Sequence, residues 1–233
     1  ATKVSQHPDF QGLSAQNIAA AAEASLSRLG TDSIDLYYAH FDDATVPLEE
    51  TVSAFNDLVV AGKVRYIALS NYSAQRIVEW MEIATRNNFV RPVALQPHYS
   101  LVHRHLFERE LAPMAERFNL GVLPYFSLAS GFLTGKYRTE GDLEGAARKN
   151  MAGGHFTPEG LAVVAALDDI ASVHNTEIAT VALAWLQSKS TVVAPIASAR
   201  VVDQLGALMA AAELSLTENE ILALDTVSSA VAE

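Results

Sequence analysis

Apolar positions along the chain switch repeatedly between two periods. Short, β-rich, nearly continuous apolar runs fall at residues 1–4, 34–39, 64–69, 93–95, 121–125 and 192–195. Strands covered by helices on a parallel sheet read this way, because neither face alternates with solvent. Between the runs lie helical stretches with their own punctuation. Residues 14–29 open on Ser14 as an N-cap and stop at Gly30. Pro47 sits just inside the start of a helix that runs to Ala61, before Gly62. Helices are expected at 73–87 and 103–119, then at 158–174 and 177–189 between the last two strands, and at 201–211 and 217–228 to close the chain.

Strands alternating with helices build βαβ units and a parallel sheet. No internal repeat and no Pro/Gly/Ser linker interrupts the 233 residues, so one domain over 1–233 is expected. The one long irregular stretch, 138–157, carries Gly141, Gly145, Gly153 and Gly154; loops of that length in a compact domain are usually functional or mobile. A doubly wound dinucleotide fold would place a GxGxxG after its first strand, and the chain has none. Barrels instead carry chemistry at the C-terminal ends of several strands. Lys3 lies within the first run, His40 ends the second, and Ser70 and Asn71 end the third. Gln96 ends the fourth, Tyr125 the fifth, and Ser198, Ala199 and Arg200 follow the sixth. Each alone has an ordinary structural explanation as a turn, cap or core residue; their recurrence at one end of every run points to a single site.

The segments that carry these residues resemble the strand motifs of the aldo-keto reductases. They are Ala1-Thr2-Lys3-Val4, Asp35-Leu36-Tyr37-Tyr38-Ala39-His40, the stretch Gly62 to Tyr72, Gln96-Pro97-His98-Tyr99-Ser100-Leu101, and the stretch Tyr125 to Tyr137. They follow the family's order and span essentially the whole chain, nearest to the bacterial oxidoreductase branch related to potassium-channel beta subunits. The resemblance implies a (β/α)8 TIM barrel that reduces aldehydes or ketones with NADP, NAD being possible. It implies that Lys3 lowers the pKa of a catalytic tyrosine and that His40 orients the substrate carbonyl. Ser70, Asn71 and Gln96 match residues that hydrogen-bond the nicotinamide carboxamide, and Tyr125 the aromatic that stacks on its ring. Leu128, Ala129, Gly131 and Lys136 match the loop around the pyrophosphate; Ser198, Arg200 and Gln204 match the adenosine end, with Arg200 suited to a 2′-phosphate.

Two departures stand out. Ala207 and Leu208 occupy positions where the family often has an acidic residue and an asparagine, which weakens the adenine contacts and leaves NADP against NAD open. Phe126-Ser127 replaces the more usual Ser-Pro. In the family the catalytic tyrosine and its aspartate partner lie upstream of the lysine. Six readable strands are two short of a closed barrel, so the chain is expected to be the C-terminal part of a longer protein, with roughly 70–90 residues before Ala1. The fragment alone is then expected to be inactive. Tyr37, Tyr38, Tyr66 and Tyr72 are read as packing residues. A nicotinamide-binding regulatory subunit without catalysis is the alternative.

Composition narrows this further. Half of the residues are apolar and 18% charged, as in ordinary globular domains. With no cysteine, a disulfide framework, a thiolate zinc site and a cysteine nucleophile are excluded. No carboxylate cluster is arranged for a metal. The formal charge of −11 disfavours nucleic acid, and no run of about 18 apolar residues indicates a membrane span. A cytoplasmic protein acting on a small carbonyl compound is expected; oligomeric state is not legible.

Overall fold

The computed structural model describes residues 2–4, 12–143 and 152–232. Ala1 of the first apolar run and Gly145 of the irregular stretch lie outside the described residues. Five strands, β1 (Thr2–Lys3), β2 (Ile34–Ala39), β3 (Val64–Ser70), β4 (Ala94–Gln96) and β5 (Gly121–Val122), form one sheet in the order of the sequence. The pairs from β1 to β4 are parallel. A doubly wound sheet would reverse its strand order at a switch point; uninterrupted sequential order is the winding of a barrel wall. Among the described residues the sheet is open, and the expected sixth strand is not a regular one. Its start, Val192, makes a single parallel bridge to Val122. The backbone follows on in strand-like fashion, with Val193 N donating to Val122 O at 2.9 Å and Ile196 N to Pro124 O at 2.8 Å. Pro195 has no N–H with which to extend a ladder.

The chain comprises two compact units, the first from Ala1–Pro97 with Glu110–Gly121, the second from His98–Arg109 with Val122–Glu233. In the first, α1 (Ala15–Leu29), α2 (Leu48–Val60), α3 (Ala74–Arg86) and α4 (Ala112–Phe118) accompany the strands. Ser14 and Ser73 cap α1 and α3, each hydroxyl accepting from the N–H three residues on, and Gly30 ends α1 at φ 63°. Pro47 proves to be the residue before α2 rather than its first turn. A cluster of aromatic rings sits within the largely aliphatic core. Phe55 packs 5.6 Å from both Tyr37 and Trp80, and Tyr72 meets Trp80 at 5.8 Å. Tyr37, Tyr38 and Tyr72 are buried as expected of packing residues, but Tyr66 is 50% exposed, because β3 turns Arg65 and Tyr66 to solvent. The helix expected over 103–119 passes through a π turn at Phe107–Leu111 before α4. Pro113 has no N–H for the carbonyl four residues back, which accounts for the break in α-helical bonding.

In the second unit, α5 (Pro158–His174) and α6 (Ile178–Gln187) are joined by α7 (Leu205–Ala210) and α8 (Glu218–Ser228). Thr217 and Glu220 form a reciprocal capping box on α8. The helix expected at 201–211 begins as a 3-10 turn, Val202–Gln204, and only then becomes α-helical. A partly buried polar network anchors this unit. Arg104 forks onto both carboxylate oxygens of Glu108 at 2.9 Å and donates to Ser228 Oγ at 2.6 Å and Asp225 O at 3.0 Å. Asp225 also accepts from Trp185 Nε1 at 2.9 Å and Lys189 Nζ at 2.8 Å, and Tyr99 OH donates to Glu108 at 2.8 Å. No helix among the described residues is long and apolar enough to cross a membrane.

Removing one partner of such a network strands the others. Arg104→Ala is expected to lower stability by about 3 kcal/mol, read as a shift of the urea midpoint at unchanged slope. A shift equivalent to less than about 0.5 kcal/mol would show that the network is not structural.

Candidate functional site

Parallel pairing decides which side chains share a level in the first unit. Lys3 is in register with Tyr38, Tyr38 with Ala68, Ala68 with Ala94, and Ser70 with Gln96. Ser70 and Gln96 therefore end neighbouring strands side by side, while Lys3 starts two positions lower and reaches up along its own stem. Its ammonium donates to Gln96 Oε1 at 3.3 Å. Ser70 Oγ donates to Gln96 O at 2.9 Å. Asn71 Nδ2 donates to the carbonyl of His40 at 2.8 Å and to Ser70 Oγ at 3.1 Å. To do so Asn71 takes a left-handed backbone, φ 58°, which asparagine tolerates better than most residues. Five expected site residues, Lys3, His40, Ser70, Asn71 and Gln96, are thus brought into one neighbourhood, with Ser70 and Gln96 buried.

The charges here are biased. Loss of hydration lowers the Lys3 pKa, although much of the residue remains exposed. His40 is pushed down to about 4, first by burial and then by the nearby Lys3 cation. At neutral pH its imidazole is uncharged, with one nitrogen to donate and one to accept. Tyr38, at the level of Lys3, has a raised pKa because it is buried; its hydrogen bond with Gln96 works the other way.

The second unit holds a cavity of about 640 Å³, within the range of small-ligand sites. Tyr125, Leu128, Gly131, Lys136, Ser198, Arg200 and Gln204, all expected from the sequence, line it. Ala129 does not: it is buried, and contributes a left-handed backbone, φ 46°, that turns the loop. Ser130 and Gly131 continue in that region at φ 57° and 96°, a costly run for residues with a Cβ and one that clusters at functional sites. A Cβ on Gly131 would lie 3.0 Å from Lys136 Nζ, so glycine lets the ammonium cross over the loop. That ammonium also sits 4.7 Å from the centroid of the Tyr137 ring.

Tyr125 stacks against His98 at 5.3 Å, and His98 in turn against His103 at 3.7 Å. Sequence reasoning missed this histidine pair, as it missed Ser130, Thr134, Glu177 and Asp203 on the cavity wall. His98, Ser130 and Thr134 lie inside segments that carry the family resemblance, whereas His103, Glu177 and Asp203 lie outside them. Phe126 takes φ 54° and Ser127 donates to Pro124 O at 3.1 Å, so the departure from Ser-Pro keeps a tight turn. Ala207 and Leu208 line the same cavity. Among the described residues no group of three or more His, Cys, Asp or Glu could hold a metal ion.

Open parallel strands in sequential order, with polar and titratable groups gathered at their ends, define an α/β barrel-type protein with its site at the strand termini. The model of the aldo/keto reductase family matches residues 1–229, and the chain belongs to that family, whose fold is the (β/α)8 barrel. A probable voltage-gated potassium channel subunit beta of Oryza sativa subsp. japonica is 37% identical over 86% of this chain and 62% of its own length. An oxidoreductase of Bacillus subtilis, YrpG, is 35% identical over 92% of the chain and 64% of its own length. Norsolorinic acid reductase B of Aspergillus parasiticus is 31% identical over 93% of the chain and 56% of its own length. The chain therefore spans less than two thirds of each of these relatives.

His40 provides a direct check of the electrostatics. Its lowered pKa means that between about 4 and 6.5 the folded protein binds fewer protons than the unfolded chain. Its contribution to stability is complete above the unfolded value and is lost as pH falls through about 4. Histidine NMR titration should find the His40 ring neutral at pH 5, and Lys3→Met should move its midpoint only part of the way back, since burial is the larger cause. A wild-type midpoint at the ordinary 6.5 would contradict the burial.

Proposed function

We propose that the chain is the part of an NAD(P)H-dependent carbonyl reductase that binds the nicotinamide nucleotide and carries Lys3 and His40 of the catalytic set, acting as one barrel domain. The observation that carries this reading is the strand-end cluster. There the Lys3 ammonium and three hydrogen-bonding side chains, Ser70, Asn71 and Gln96, stand within one network, to which His40 is joined through its backbone carbonyl.

In this reading Ser70, Asn71 and Gln96 hold the carboxamide of the nicotinamide, which fixes the ring face offered to substrate. Tyr125 supports the ring. Leu128, Gly131 and Lys136 receive the pyrophosphate, with Ala129 shaping the loop, and Ser198, Arg200 and Gln204 receive the adenosine end. The residues fit such a ligand: the loop that glycine opens over Lys136 leaves an ammonium facing the cavity, as a diphosphate requires. The bound nucleotide would supply a hydride. The protein's share is orientation and proton management. Neutral His40 donates its N–H to the carbonyl oxygen, and Lys3 favours the ionised form of a neighbouring phenol, which brings the acid's pKa nearer to neutrality. That phenol is assigned to a tyrosine upstream of Ala1. The substrate is an aldehyde or ketone, and a cytoplasmic location is in keeping with the absence of cysteine.

A second reading, a nicotinamide-binding regulatory subunit, is favoured by relatives named as potassium-channel beta subunits. The two separate in one assay. Full-length protein with NADPH and a panel of aldehydes is expected to consume NADPH in proportion to enzyme, with Lys3→Met losing at least about a hundredfold in kcat. Tight NADPH binding without turnover across the panel would favour the regulatory subunit.

A further inference from the structure

Helix α3 opens with an arginine where its own dipole disfavours one. Ser73 is the N-cap, its hydroxyl accepts from the Arg76 N–H, and no acidic residue stands in the first turn. A cation at that end opposes the macrodipole. It is offset by a carboxylate from the loop that follows β2. Arg76 Nε and Nη2 donate to Asp42 Oδ2 and Oδ1 at 2.7 and 2.9 Å, a fork between two side chains that are each 24% exposed. The remaining nitrogen, Nη1, donates at 2.8 Å to Glu79 Oε2 on the same helix. Asp42 stands two residues after His40, and between them Phe41 sets its ring 4.4 Å from the His40 imidazole. The backbone is pinned on either side of Phe41. Asn71 Nδ2 holds the His40 carbonyl, and Asp43 Oδ2 accepts from Leu13 N at 2.9 Å. Phe41 itself is 40% exposed, so its place owes less to packing than to these neighbours in the chain.

Resting on the reading of His40 as the residue that orients the substrate carbonyl, we infer that Asp42 and Arg76 are positioning residues for it. Their fork holds the loop at 41–43 against the start of α3, and Phe41, carried by that loop, keeps the imidazole in place. A half-exposed ion pair contributes little to global stability, whereas a small displacement of a reacting group is costly in rate. The pair should therefore be felt in turnover and in the surroundings of His40. Glu79 stands outside this device, because its bond to Arg76 stays within α3 and reaches no residue of the loop.

Steady-state kinetics with NADPH and an aldehyde, together with histidine NMR titration, test this on the full-length protein. Arg76→Gln and Asp42→Ala should each lower kcat by about tenfold while the KM for NADPH stays within about twofold. In both variants the His40 midpoint, held down chiefly by burial, should rise by about one pH unit as the ring loosens into solvent. The double variant should lose no more than either single one, since the two residues act as one fork. Glu79→Gln leaves the fork intact and should change neither readout. Turnover that falls without a shift of His40 overturns the inference. So does a shift without loss of turnover in an active wild type, or an equal effect from Glu79→Gln. A folded wild type that turns over no aldehyde removes the catalytic reading alone, and the His40 midpoints of Arg76→Gln and Asp42→Ala then decide by themselves whether the fork places the ring.

Discussion

Parallel strand register is the constraint from which the first unit's chemistry follows. Because β1 to β4 are parallel and paired in sequence order, every strand ends at the same end of the sheet. Residues separated by tens of positions, such as Ser70 and Gln96, end side by side. A slip of one residue in any pair would turn the strand-end side chains to the opposite face. The hydrogen bonds from Lys3 to Gln96, from Ser70 to Gln96 and from Asn71 to His40 all depend on that alignment. The aromatic contacts of Tyr37, Phe55, Trp80 and Tyr72 pack helices α2 and α3 against these strands.

Electrostatics then divides labour between the units. In the first, burial and a neighbouring ammonium keep His40 neutral, so hydrogen-bonding capacity is present without a second positive charge. In the second, charges are of two kinds. Those of Arg104, Glu108, Asp225 and Lys189 are mutually satisfied and hold helices together. Those of Lys136, Arg200, Glu177 and Asp203 face a cavity without ion-pair partners among the described residues. Satisfied charges build structure, and unsatisfied ones at a cavity are where ligand recognition is to be sought.

Much of this was legible from pattern alone. The β2 run and the helices at Ala15–Leu29, Ala74–Arg86 and Pro158–His174 stand within a residue of their expected bounds, because their caps, Ser14, Ser73 and Thr157, are local chemistry. What escaped depends on tertiary context. Residues 192–195 have a strand's composition, but Pro195 and the neighbouring chain decide how far pairing extends. The π turn at Phe107–Leu111 answers to a proline six residues beyond its start. Ala129, matched to a ligand loop by resemblance, turns its side chain into the core because three successive left-handed residues redirect the loop. Asp203 gave no motif signal; only the cavity wall shows that it stands with Arg200.

On the function proposed above, the second unit's cavity receives the pyrophosphate and adenosine of a nicotinamide dinucleotide. Amide hydrogen exchange of the full-length protein, with and without saturating NADPH, tests it most directly. Slowed exchange is expected in residues 125–137 and 196–208, two of the stretches that line the cavity, with little change in α8 (Glu218–Ser228), which does not line it. Saturating nucleotide that leaves both stretches unprotected, or protects only segments outside the cavity, would contradict it.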